Sequence, residues 1–227
     1  MTHQSQPSIA IVDYGMGNRR SAEKALQRVG AITMTTADHD ALRAADALVL
    51  PGVGAFPQGM ENLRQRGLDT LLHERVANGT PVLGICLGMQ LLFDSSEEHG
   101  IGAGGLGLIR GHVRALAAGN LRVPHIGWNE VRFERHSPLI GDLPPAGCPF
   151  YHVHSYVVDG LDWADVVGTA EYGERFVSVV AHDNIFGTQF HPEKSSRHGL
   201  ALLANFVRLC SGRAQPARPS PSAVSAR

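Results

Sequence analysis

The sequence predicts an α/β fold: an open, mostly parallel sheet with helices on both faces and antiparallel strands added in the carboxyl half. From Ile9 to about Asp94, short apolar runs alternate with helix-compatible stretches, the pattern of a parallel sheet covered on both sides. Beyond Gly111 the segments become β-rich, which suits antiparallel pairing. The balance over 227 residues, 43% hydrophobic and 18% charged, is that of a globular chain long enough for one large core.

Each element has its own signal. Ile9 to Asp13 is a short strand run that ends in the turn Tyr14-Gly15-Met16-Gly17, and Asn18 opens a helix through Val29 that Gly30 stops. Ile32 to Thr36 and Ala47 to Leu50 read as two more buried strands, the second closed by Pro51-Gly52-Val53-Gly54. Phe56 to Asn78 is broadly helical up to Gly79, Pro81 to Ile85 is a fourth strand, and Leu87 to Asp94 follows as a helix. The later strands are expected at His112 to Leu116, Glu130 to Phe133, Phe150 to Val158, Val166 to Glu171, Phe176 to Ala181 and Ile185 to Phe190. Leu200, Leu203, Phe206 and Val207 recur at helical spacing within a last helix, Ser196 to Leu209. The body is expected to be one domain over residues 1–210. Residues 211–227, rich in Pro and Ser without apolar period, read as a disordered tail.

Composition removes several classes of function. With 20 Lys+Arg against 21 Asp+Glu the formal charge is -1, so no broad basic field collects nucleic acid or anionic lipid. The longest mostly apolar stretch, Pro81 to Phe93, falls short of the ~20 residues a membrane span needs. The amino end lacks a basic region followed by an apolar one, and Cys86, Cys148 and Cys210 form no CxxC pair; both point to a reducing, cytoplasmic setting.

The sharpest local signal is Gly84-Ile85-Cys86-Leu87-Gly88, a thiol version of the G-x-S-x-G elbow in which a tight strand-to-helix turn presents a nucleophile. A cysteine there sits at a helix amino end, where free N–H groups and the dipole favour thiolate. It is equally a place for a small buried apolar residue, and the elbow alone does not choose. His191-Pro192-Glu193, directly after the run Ile185 to Phe190, supplies an imidazole and a carboxylate that together have the base and orienter logic of a triad. The glycine turn Gly52-Val53-Gly54 can lend backbone N–H groups to an oxyanion if its strand neighbours that of Cys86.

These residues resemble a class I glutamine amidotransferase, whose flavodoxin-like fold carries a Cys-His-Glu triad that hydrolyses the side-chain amide of glutamine. The likeness spans about residues 8–210. The segments Asp13-Tyr14-Gly15-Met16-Gly17-Asn18, Pro51-Gly52-Val53-Gly54-Ala55-Phe56, Gly84 to Gln90, Pro124-His125-Ile126-Gly127-Trp128-Asn129 and His191-Pro192-Glu193-Lys194-Ser195 are similar to the glutaminase subunits of imidazole glycerol phosphate synthases. Ile126 departs from them, standing where methionine is usual, a volume-conserving exchange. The resemblance implies Cys86 as nucleophile, His191 as proton shuttle and Glu193 as its orienter. It implies an oxyanion site at Gly52, Val53 and Leu87, and glutamine contacts at Gly54, Gln90, Glu98, Ser155 and Tyr156. It further implies a (β/α)₈-barrel cyclase subunit as heterodimer partner, met by Asn18, Trp128, Asn129 and Lys194, with ammonia passing between the two. No cofactor and no metal is implied.

Three other readings compete. Gly15-Met16-Gly17 as a dinucleotide fingerprint fails at its third glycine, where Arg20 stands. A metal site built on His152 and His154 with Cys86 or His191 lacks compact ligand spacing. A cysteine hydrolase of another substrate is disfavoured by the Pro-His-Ile-Gly-Trp-Asn segment.

Overall fold

The computed structural model describes residues 6–100 and 102–211. In chain order it forms β1 (Ser8–Val12), α1 (Arg19–Arg28), β2 (Ile32–Thr36), α2 (His39–Ala44), β3 (Ala47–Gly52), α3 (Phe56–Gln65), α4 (Leu68–Ala77), β4 (Val82–Cys86) and α5 (Leu87–Gln90). There follow β5 (Ser95–Ser96), β6 (Ala103–Gly104), β7 (His112–Ala115), β8 (His125–Phe133), β9 (Cys148–His154), β10 (Tyr156–Asp159), β11 (Val166–Tyr172), β12 (Glu174–His182), β13 (Ile185–Thr188) and α6 (Ser196–Ser211).

A nine-stranded sheet runs in the order β2-β1-β3-β4-β13-β12-β11-β8-β9. Its first five strands pair in parallel and the rest antiparallel. The expected architecture is therefore present. Alternate side chains feed two cores: Ile9, Ile11, Val49, Leu83 and Ile85 pack with α1 and α6, while Ala10, Val12, Leu48, Leu50 and Val82 pack with α2, α3 and α4. A small second sheet, β10-β7-β5-β6, lies beside the first. In open sheets of this kind ligands collect outside the carboxyl ends of the parallel strands, where the Gly52 turn, Cys86 and His191 all emerge.

The structure corrects several expectations. β2 is an edge strand with Ile32 55% and Met34 44% exposed, because no strand or helix covers its outer side among the described residues. The long helix over residues 56–78 is two helices, broken at Gly67, whose φ of +64° ends one turn and opens the next. The helix after Cys86 is one turn, Leu87–Gln90, so little macrodipole stands behind the thiol. The strand over residues 150–158 divides at Ser155 into β9 and β10, which belong to different sheets. β8 begins five residues early, at His125, and α2 is an addition capped by Asp38, whose carboxylate accepts from the Ala41 N–H at 2.8 Å. Ser211, assigned to the tail, is helical; residues 212–227 lie outside the described residues.

Gly67→Ala is expected to cost about 1 kcal/mol, the usual penalty for a side chain in the left-handed region, because the nearest atom to a Cβ there, His39 Cε1 at 3.4 Å, leaves it room. A lower urea midpoint with unchanged slope measures it.

Candidate active site

Cys86 ends β4 and caps α5 in a conformation few side chains adopt, φ +56° and ψ −112°. The turn closes because Gly84 and Gly88 carry no side chain: a Cβ on Gly88 would lie 1.7 Å from the Leu50 carbonyl oxygen, and one on Gly84 2.7 Å from that of Gly88. Strain of this kind at a cleft is where a nucleophile is held out from its strand. The thiol is buried; its Sγ lies 3.6 Å from the Val153 carbonyl and 3.8 Å from Gln189 Nε2.

β13 pairs in parallel with β4, Thr188 opposite Ile85, so the chain leaving β13 delivers His191 beside Cys86. The imidazole and the thiol line the same cavity and interact, and the imidazole Nδ1–H donates to Glu193 Oε1 at 2.9 Å. Both side chains are buried. Ser195 Oγ donates to the His191 carbonyl at 2.6 Å and accepts from the Tyr151 N–H at 3.0 Å, while the His191 N–H donates to the Tyr151 carbonyl at 3.0 Å, fixing the backbone that carries the base. Glu193 Oε2 is buried with no hydrogen-bond partner among the described residues, which leaves the carboxylate's orienting strength directed at one ring nitrogen.

Burial works against a charged His191, but hydrogen bonds and charge from Cys86 and Glu193 outweigh it and push its pKa up to about 9. That value lies above the ~6.5 of an unfolded imidazole, so the pairing adds stability that is complete below about pH 6.5 and lost as pH rises through 9. Glu193→Gln removes one of the two partners, and the His191 titration midpoint, followed by NMR, is expected to move to lower pH. A midpoint unchanged by Glu193→Gln contradicts the assignment of that carboxylate.

The expected glutamine contacts, with Val53, Leu87 and Lys194, gather round the same opening, whereas Asn18, Trp128 and Asn129 do not line it. A cavity of about 260 Å³ is lined in part by Gly54, Cys86, Gln90, Glu98, Tyr156 and His191. Val53, Leu87, Ser155 and Lys194 also face it. Gly52 stands opposite Cys86 in the β3–β4 register, and its backbone packs on α5 so closely that a Cβ would lie 2.9 Å from the Gly88 nitrogen. Glu98 Oε2 accepts from the Phe56 N–H at 2.6 Å, tying the end of the Gly52–Gly54 loop to the cavity wall.

The family profile described as "Glutamine amidotransferase class-I" matches residues 10–210. The imidazole glycerol phosphate synthase subunit HisH of Moorella thermoacetica is 51% identical over 201 residues, 88% of this chain and 94% of that protein. The HisH subunit of Bacillus subtilis is 46% identical over 208 residues, 89% and 97% of the two chains. The chain belongs to the class I glutamine amidotransferases, in the HisH family. Solved relatives share the fold: the structure of PurLQS from Thermotoga maritima has a TM-score of 0.73 at 19% identity, covering 90% of this chain and 99% of that one. The glutaminase domain of Trypanosoma brucei CTPS has a TM-score of 0.67 at 16% identity, covering 94% and 97%.

The segment His125 to Asn129, which follows Pro124, forms the start of β8. Trp128 is 55% exposed and meets Tyr151 edge to face at 6.1 Å between centroids, so it is not a core aromatic. Ile126 is 60% exposed on the same face. Asn129 Nδ2 donates to the Glu171 carbonyl at 2.8 Å, and Asn18 precedes α1 without a side-chain capping bond. His152 and His154 are buried, but among the described residues no three His, Cys, Asp or Glu groups are placed to hold a metal ion. Several residues of the site carry no signal in sequence. Gln189 is fully buried and accepts from Gln90 Nε2 at 2.9 Å, yet it reads as one position of a strand. Ser195 and Tyr14, whose buried hydroxyl donates to the Pro51 carbonyl at 2.8 Å, stand within motifs with no stated task.

Proposed function

We propose that the chain is the glutaminase subunit of an imidazole glycerol phosphate synthase in histidine biosynthesis, acting in the cytoplasm. The observation that carries this is the buried Cys86, His191 and Glu193 arrangement at the carboxyl ends of β4 and β13, in a chain about half identical to HisH proteins. Glutamine enters the cavity held by Gly54, Gln90, Glu98, Ser155 and Tyr156. The Cys86 sulfur attacks the side-chain amide carbon; the oxyanion that forms is met by backbone N–H groups of Leu87 and of the Gly52–Val53 turn. His191 protonates the departing nitrogen, ammonia leaves, and a thioester remains. The same imidazole then takes a proton from water, which attacks the thioester to give glutamate and the free thiol. Glu193 holds His191 in the tautomer whose Nε2 faces sulfur.

Ammonia released into water becomes mostly ammonium and loses its nucleophilicity, so a second protein must cover the opening. That partner is a (β/α)₈-barrel cyclase, joined as a heterodimer through Asn18, Trp128, Asn129 and Lys194. It uses the ammonia to convert phosphoribulosyl-formimino-AICAR ribonucleotide into imidazole glycerol phosphate and AICAR ribonucleotide. Exposed Trp128 suits an interface anchor, and its contact with Tyr151, which brackets the His191 backbone, gives docking a route to the base. The test mixes purified chain with cyclase and its nucleotide substrate and follows glutamate release. Release is expected only in the full mixture; release by the lone chain at the same rate, or none in the mixture, overturns the proposal.

A further inference from the structure

Two buried histidines, His125 and His154, have no part in the chemistry above. His125 opens β8, His154 ends β9, and the register sets them opposite each other, with His125 Nδ1 3.0 Å from His154 Nε2. The other nitrogen of each ring has one neighbour. His154 Nδ1 lies 3.0 Å from the Tyr156 carbonyl oxygen. His125 Nε2 lies 3.4 Å from Asn129 Nδ2, which donates to the Glu171 carbonyl.

The polarity of this chain is fixed independently from both ends. A carbonyl only accepts, so His154 must carry its proton on Nδ1, leaving Nε2 bare to accept from His125 Nδ1–H. At the far end the Glu171 carbonyl fixes Asn129 Nδ2 as a donor, so His125 Nε2 must be bare and its proton again sits on Nδ1. The two deductions agree. Burial keeps both rings neutral, lowering the His125 pKa and pulling that of His154 to about 4. The His125 ring stacks on Tyr172 at 4.0 Å between centroids and on His152 at 5.1 Å. His152 is satisfied separately by the Phe150 carbonyl at 3.2 Å and Ser178 Oγ at 2.9 Å.

The chain does not stop at Tyr156. Its carbonyl also accepts from Gln90 Nε2 at 3.1 Å, so both lone pairs are used, and Gln90 continues to Gln189, whose amide faces the Cys86 sulfur. We propose that His125 and His154 are positioning residues: a one-way hydrogen-bond relay from Asn129, half-buried on the His125 face of β8, to the Tyr156 carbonyl, which sets Gln90 in the wall of the glutamine cavity and through it Gln189 beside the Cys86 sulfur. The proposal rests on the glutaminase reading for its effect on turnover, but its proton placement stands apart from that reading.

Two measurements test it. Nitrogen-15 NMR of the full chain is expected to show both histidines as Nδ1–H tautomers; an Nε2–H form of either ring overturns the relay even if the chain has no glutaminase activity. In the complex with cyclase, His125→Asn places an amide N–H at the Nδ1 position and keeps the bond to His154, whereas His125→Gln places its amide at Nε2 and loses it. His125→Gln is expected to raise the glutamine KM about tenfold, the equivalent of one neutral hydrogen bond, with kcat within about twofold. His125→Asn is expected to stay within about threefold of the parent KM, and ammonium-driven turnover to be unchanged in both. Equal KM values for the two variants overturn the relay, whereas a parent complex that hydrolyses no glutamine overturns the glutaminase reading instead.

Discussion

Replacing Cys86 by alanine is expected to lower glutamine-dependent turnover of the cyclase complex by about 10⁴-fold or more, the scale of losing a nucleophile from a triad, while turnover driven by added ammonium salt stays within about twofold. Both halves follow from the site. Among the described residues that face the cavity, Cys86 supplies the one thiol; the other polar side chains besides His191 are the Gln90 amide, the Glu98 carboxylate, the Ser155 and Tyr156 hydroxyls, the Lys194 amine and the His154 imidazole, whose Nδ1 is engaged by the Tyr156 carbonyl. The fold does not depend on the thiol, because the elbow is closed by the missing side chains of Gly84 and Gly88, and alanine keeps the Cβ that Cys86 already places at φ +56°. Besides its interaction with His191, Sγ contributes contacts of 3.6 Å and 3.8 Å to Val153 and Gln189. Normal use of glutamine by the variant would falsify the nucleophile assignment. Equal loss of both activities points to a damaged docking surface instead.

How much of this was legible in the sequence depended on whether a residue's task is local. β1 and β3 announce themselves because both faces are buried and their apolar runs end at glycine turns. The elbow and the His-Pro-Glu segment are legible for the same reason: a turn, a nucleophile and a base each impose a residue type at fixed spacing. The edge position of β2 is not, since Ile32 and Met34 are apolar whether or not anything covers them. The division at Ser155 is hidden because no Gly or Pro interrupts the stretch from Phe150 to Val158 while the backbone leaves one sheet for another. Gln189 and the paired His125 and His154 were out of reach because their partners lie far along the chain, 99 residues between Gln189 and Gln90 and 29 between the histidines. A lone polar residue in a strand acquires its meaning from tertiary contact.

The largest effect on the fold is expected at Gly88. In Gly88→Ala the new Cβ would overlap the Leu50 carbonyl oxygen at 1.7 Å and crowd the Leu50 carbonyl carbon at 2.7 Å, and these are backbone atoms of the central strand β3 that no side-chain rotation can clear. Relief requires α5 to move off β3, and α5 carries Leu87 and Gln90, with Cys86 at its cap. The cost is expected to exceed about 3 kcal/mol, at or beyond the upper end of overpacking in a rigid core, read as a fall in the urea midpoint or as loss of soluble protein. Gly102→Ala provides the comparison: no atom lies within 4 Å of its Cβ, and its φ lies outside the left-handed region, so it is expected to stay within about 0.5 kcal/mol of the parent. Two glycines apart by little in sequence thus separate by their surroundings alone. If Gly88→Ala matched Gly102→Ala in stability and the complex still used glutamine normally, the tight contact between β3 and the elbow would not be what holds Cys86 in place, and the strained conformation at φ +56° would need another cause.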